Sequence, residues 1–251
     1  MVKYSIEWLK NSFHAYVTSP ASNGAYAMSF LTIFATIPLL ALIIYASTII
    51  EPLNYFAMSL RDLVFDGLAP STEADLMPII EGFLSNAQKL GIIGALFGMY
   101  SAYLFFWALD YWVQTIFNAP ERSDFSIFLI IIALTFLLSI LQLIISYIKI
   151  SLNPIDIIAE FLNLLSLWCS IYIMYIILPN NRVNKKSATI ISAAIAIATT
   201  IIKIGFVYYV YYSFSYKTIY GSFATVMFLL IWIEICWWLF FIGLNALKLH
   251  K

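Results

Sequence analysis

Histidine occurs twice in the 251 residues, as His14 and His250, and both lie close to the ends of the chain. No multi-histidine metal centre can assemble from them, and no serine or acid in the apolar segments has a histidine base beside it. Cysteine is equally scarce. Cys169 and Cys236 both sit inside apolar runs, where the residue serves as a small hydrophobe rather than a disulfide partner or metal ligand. A GxxxxGK[ST] phosphate loop is missing, which argues against a nucleotide-driven pump. Charged residues make up only 10% and sum to zero, so no basic field points to nucleic acid. These absences speak against an enzyme: no catalytic residue, metal or cofactor is expected.

What remains is grease. Hydrophobic residues make up 63% of the chain, against about 45–50% in a soluble domain. Six segments reach or exceed the roughly 20 residues that cross a hydrocarbon core: Gly24–Ile50, Leu90–Trp112, Phe125–Ile148, Ile157–Leu178, Ala188–Tyr212 and Tyr220–Leu247. The expected fold is all-α, a polytopic membrane protein of six transmembrane helices plus amphipathic surface helices. Residues 1–23 are too long and polar for the first region of a signal peptide, and the apolar segment after them is too long for its core, so no cleaved leader is expected. Ile6, Leu9, Phe13 and Val17 instead give residues 3–18 one apolar face, suited to lying on a membrane surface.

Lys and Arg outside the spans set the orientation. With the amino terminus inside, the inner segments hold Lys3, Lys10, Arg122, Arg182, Lys185, Lys186, Lys248 and Lys251, and the outer ones hold Arg61, Lys89, Lys149 and Lys217. Eight against four predicts two cytoplasmic termini. The connection at residues 51–89 is then external and acidic. Within it Leu76, Ile79, Ile80, Phe83, Leu84 and Ala87 form a helical stripe, expected to rest on the outer mouth of the bundle. No Gly/Ser or Pro linker divides the chain, and residues 1–251 read as one domain.

Two neighbouring spans each carry a single polar stripe. In the third, Thr135, Ser139, Gln142, Ser146 and Lys149 fall within roughly 80° of arc at helical spacing; in the fourth, Asp156, Glu160, Asn163 and Ser170 do the same. Polarity concentrates in the outer half of both, which predicts a slot open to the outside, with Trp107 and Trp238 closing its floor. Ionisable residues inside a span cost roughly 2.5–3.5 kcal/mol each at mid-membrane and call for partners or water. Lys203 and Glu234 fall at similar depths and are expected to pair. A seam of Ala188, Ser192, Ala196 and Thr200 would bring the fifth span close to its neighbours. The candidate substrate pathway is Gln142, Ser146, Lys149, Asp156, Glu160, Asn163, Lys203 and Glu234. Asp110, near the inner end of its span with Tyr103, Trp107 and Gln114 on its face, is a lesser candidate.

Several short motifs recur in a suggestive order. The last span reads Tyr220-Gly221-Ser222, an apolar run to Trp232, then Gly243-Leu244-Asn245-Ala246. Leu178-Pro179-Asn180-Asn181-Arg182-Val183 precedes the fifth span, and the first holds Ser29-Phe30-Leu31 and Ile37-Pro38-Leu39-Leu40. Over roughly residues 20–250 the chain resembles the YihY/BrkB family of bacterial inner-membrane proteins, once mislabelled ribonuclease BN. The resemblance implies a six-span inner-membrane protein described as a transporter, linked to envelope integrity and serum resistance. Where relatives commonly carry Gly-Ala-Glu before the last Asn, this chain has Phe241, Ile242 and Gly243. Two readings of Glu234 stand: a replacement for that acid, or an independent group. Two functions follow. One is a transporter or flippase for a lipid-like or amphiphilic envelope substrate, with membrane lipids as partners. The other is a non-transporting scaffold for envelope integrity. Nothing in the composition opposes an oligomer.

Overall fold

The computed structural model describes residues 16–18, 22–49, 73–152, 156–181, 183–212 and 222–249. Most of the predicted surface helix at residues 3–18, and residues 51–72 of the acidic connection, lie outside these. Six long helices follow in order: α1 (Ser22–Ile49), α2 (Glu73–Phe117), α3 (Asp124–Leu152), α4 (Asp156–Ile177), α5 (Lys185–Tyr212) and α6 (Ser222–Leu249). The described residues contain no strand. All six helices have at least 22 residues, enough to cross a bilayer. Among the described residues, Ile158–Ile177, Lys185–Tyr212 and Val226–Leu249 are the stretches both long and apolar enough to do so by composition.

The surface is inverted relative to a water-soluble fold. Phe30, Phe125, Leu143, Ile190 and Ile201 are exposed, while Ser29, Ser101, Asp110, Gln114, Ser166, Ser192 and Asn245 are buried. Lipid is as apolar as leucine, so greasy side chains gain nothing by hiding, and polar groups seek one another inside. Many hydroxyls satisfy themselves on the preceding turn of their own helix: Thr32 on Met28 O, Ser101 on Phe97 O, Thr199 on Ile195 O and Thr200 on Ala196 O.

Local chemistry sets the helix ends. α2 stops at Asn118, whose φ of 49° is left-handed. The backbone N–H of Asn118 donates to Thr115 O and that of Ala119 to Gln114 O, closing the last carbonyls before Pro120. Ser123 caps α3, its Oγ accepting from Ser126 N at 3.4 Å, with Asp124 favourably placed in the first turn. Asn184 caps α5 through Lys186 N at 3.1 Å.

One expectation changes. The stripe from Leu76 to Ala87 is helical, but it is not a separate element. α2 runs unbroken through the boundary expected near Leu90, over 45 residues, about 67 Å at 1.5 Å per residue. Gly91, Gly94 and Gly98 are the glycines after the boundary. A glycine costs about 1 kcal/mol there without supplying a break.

The chain gathers into two compact units, each drawn from distant segments. One comprises Met1–Ala25, Phe106–Ile201 and Trp238–Lys251; the other comprises Tyr26–Phe105 and Ile202–Trp237. In the first, α3 packs along α4. Gly24 of α1 lies so close to Trp112 and Phe241 that a Cβ there would stand 2.9 Å from the indole. Tyr175 of α4 is fully buried against Phe240, to whose carbonyl its hydroxyl donates at 2.9 Å. The small-residue seam behaves as its spacing predicts, with Ala188, Ser192 and Ala196 all buried. In the second unit, Phe206 and Val210 of α5 pack with Ala224, Phe228 and Trp232 of α6. The indole of Trp237 donates to Thr32 Oγ1 of α1 at 2.8 Å.

Candidate functional site

Among the described residues a dense polar cluster lies in the first unit, at the C-terminal ends of α2 and α4. α2 brings Asp110 and Gln114 to one face, four residues apart, and both are buried, at 5% and 2% exposure. The short connection after Asn118 returns Arg122 toward them, and its Nη1 donates to Asp110 Oδ1 at 2.7 Å. The same nitrogen donates to Leu178 O at 2.8 Å, and Nη2 reaches Ile177 O at 3.4 Å. Gln114 Nε2 donates to Asp110 Oδ1 at 2.9 Å and to Leu178 O at 3.0 Å, while its Oε1 accepts the backbone N–H of Asn180 at 3.0 Å. Asn180 Nδ2 donates to Pro120 O and Asn181 Nδ2 to Phe117 O.

The electrostatics are consistent throughout. The last carbonyls of α4 lack intrahelical donors and carry the negative end of its dipole, and a guanidinium and an amide supply what they need. The carboxylate in turn compensates the guanidinium. Removing either member of such a buried pair would leave the other charge uncompensated, typically at 3–5 kcal/mol. A cavity of about 10 Å³, the room of a single water, lies beside it, lined by Phe106, Leu109, Asp110, Ile127, Ile130, Leu134 and Leu178.

The predicted pathway residues are placed differently. Gln142 is half-buried and donates to Ser166 Oγ at 2.8 Å, joining α3 directly to α4. Ser166 falls on the stripe between Asn163 and Ser170, and continuing the three-and-four spacing would have found it. Ser146, Glu160 and Asn163 are exposed. The side chains of Thr135, Lys149 and Asp156 lie outside the described residues. Trp107 and Trp238, expected to close a floor, are both exposed. Lys203 is exposed and Glu234 half-buried, and no ion pair joins them; among pairs of described residues the salt bridge is Arg122–Asp110. Lys203 instead stands within electrostatic reach of Cys236. Depth along the membrane brings two residues to one level, but rotation about the helix axis decides which neighbour each meets. Among the described residues no group of His, Cys, Asp and Glu could hold a metal ion.

Six long helices, an apolar exterior and a buried polar cluster define an all-helical integral membrane protein. The chain belongs to the family described as virulence factor BrkB, whose model matches residues 13–247. It is 28% identical over 239 residues to a UPF0761 membrane protein of Cronobacter sakazakii, covering 91% of this chain and 81% of the relative. A UPF0761 membrane protein of Haemophilus influenzae is 29% identical over 230 residues, 87% of this chain and 86% of the relative. UPF0761 membrane protein YihY of Salmonella typhimurium is 29% identical over 198 residues, 74% of this chain and 68% of its own length. No solved structure matches.

Proposed function

We propose that this protein moves a lipid-like or amphiphilic envelope substrate across the bacterial inner membrane, with both termini in the cytoplasm. The observation that carries the reading is the outward exposure of charge on apolar helices. Glu160 is exposed between Ile158 and Phe161 on α4, and Lys203 between Ile201 and Ile204 on α5. Among the described residues neither makes a hydrogen bond or salt bridge. By helical rise Glu160 lies about 6 Å inside the start of α4, and Lys203 about 14 Å from the end of α5. Charges facing hydrocarbon are costly, so something must meet them. The polar head of an amphiphile, carried along the outside of a helix with its tail left in the bilayer, meets them without an internal slot. On this reading transport rests on binding alone; the chain is not an enzyme and needs no cofactor or nucleic acid.

The scaffold reading draws its support from Gln142 and Ser166. Their direct bond of 2.8 Å joins the two polar stripes side chain to side chain, which supports a structural seam. Reconstitution separates the two readings. Vesicles containing fluorescent phosphatidylglycerol or phosphatidylethanolamine would be challenged with an external quencher. Transport predicts loss of inner-leaflet fluorescence well above that of empty vesicles, reduced severalfold by Lys203→Met and Glu160→Gln. Rates equal to empty vesicles for both lipids would favour the scaffold.

A further inference from the structure

We propose that Arg122 is the movable bolt of a conformational latch, whose release lets the segments at 118–123 and 178–181 part. Its first support is the way the cluster is built. Asp110 and Gln114 are held on a regular helix, and the acceptors at Ile177 and Leu178 end another. Arg122, the charged donor, comes from irregular backbone, four residues after Asn118, the left-handed residue that ends α2. It can leave without unwinding either helix.

The second support is that one side chain closes several contacts at once. Arg122 holds Asp110, Leu178 O and Ile177 O together, and its side chain is only 9% exposed. The remaining ties to the 178–181 segment are neutral: Gln114 to Leu178 O and to Asn180 N–H, both at 3.0 Å, and the longer ones of Asn180 to Pro120 O and Asn181 to Phe117 O, at 3.4 and 3.3 Å. Charge-assisted bonds are the stronger ones, so Arg122 carries most of the closure. Withdrawing it takes the side-chain donor from Ile177 O and leaves Asp110 and Leu178 O with Gln114 alone, the carboxylate uncompensated, a penalty that water can relieve only by entering. Release and hydration of this end are therefore one event.

The test measures access to Leu178, which is buried at 4% and whose carbonyl accepts from Arg122. The full chain in lipid nanodiscs, with Cys169→Ala and Cys236→Ala, would carry Leu178→Cys or, as a buried control in α5, Ala196→Cys. Each thiol is timed with a hydrophilic maleimide. With Arg122 intact, both should react slowly. Arg122→Gln should speed labelling at position 178 at least tenfold and leave 196 unchanged. Arg122→Lys, which keeps the charge but loses the fork, should fall between. Adding Pro120→Cys and Asn180→Cys and oxidising them to a disulfide should restore slow labelling at 178 in the Arg122→Gln protein. Unchanged labelling at 178, a parallel rise at 196, or a disulfide that fails to restore protection would overturn the latch and leave the cluster a static brace.

Discussion

Gly243 offers the sharpest test of the packing. It sits on α6 where α4 and α5 converge, and a methyl added there would overlap the hydroxyl of Tyr175 and stand 2.9 Å from both Tyr175 Cζ and Ile195 Cγ1. Tyr175 has nowhere to retreat: it is fully buried, and its hydroxyl is committed to Phe240 O at 2.9 Å. Gly243→Ala therefore sets three effects against one another. Overpacking a filled site costs about 1–3 kcal/mol, and displacing a buried hydroxyl from its acceptor about another 1–3 kcal/mol. Replacing a helical glycine returns about 1 kcal/mol. The sum is a net loss of about 1–5 kcal/mol. Tyr175→Phe removes the atom that the new methyl strikes and should by itself cost about 1 kcal/mol. The double variant should be less destabilised than the sum of the singles, by at least about 1 kcal/mol. Reversible unfolding in mixed micelles, titrated with sodium dodecyl sulfate, measures all four corners of this cycle. A Gly243→Ala protein as stable as the parent, or strictly additive singles, would refute the three-helix contact.

Other outcomes follow from the same structure. Gln142→Leu and Ser166→Ala should each cost only a few tenths of a kcal/mol, with a coupling near 0.6 kcal/mol as is usual for such bonds in membranes; a double-mutant cycle in the same micelles checks it. Lys203→Met and Glu234→Gln should be additive in stability, because the two side chains make no ion pair, and a coupling above about 1 kcal/mol would bring them together after all. For orientation, Asn184→Cys should be protected from a membrane-impermeant thiol reagent in intact cells while Thr72→Cys reacts, and the reverse would invert the topology.

Much of the architecture is legible in composition because bilayer thickness acts as a ruler. The fourth span was expected at Ile157–Leu178 and is Asp156–Ile177; the fifth, expected at Ala188–Tyr212, is Lys185–Tyr212. The ruler fails for α2, because hydropathy marks where a chain leaves lipid, not where its backbone stops being helical. The polar stripes identified residues sharing a face but not what that face meets. Gln142 found Ser166, while Asn163 on the same stripe turned outward. Arg122 escaped notice as one more positive charge among the inner loops, although Asp110 lies only twelve residues earlier. Loop charges are counted for orientation, and counting hides the one that folds back.

That sequence distance has a consequence for how the protein is made. The ion pair of Asp110 and Arg122 closes across twelve residues, within a single hairpin of α2 and α3, so the acid can be neutralised almost as soon as its helix leaves the insertion machinery. The carbonyl of Leu178 arrives 56 residues after Arg122, a delay of about 3–11 s at 5–20 residues per second. During that interval the guanidinium has its counter-charge but not its carbonyl acceptors, and the nascent hairpin presents a half-filled socket to which the end of α4 can dock. The order of synthesis thus gives α4 a prepared place to stop before α5 and α6 exist.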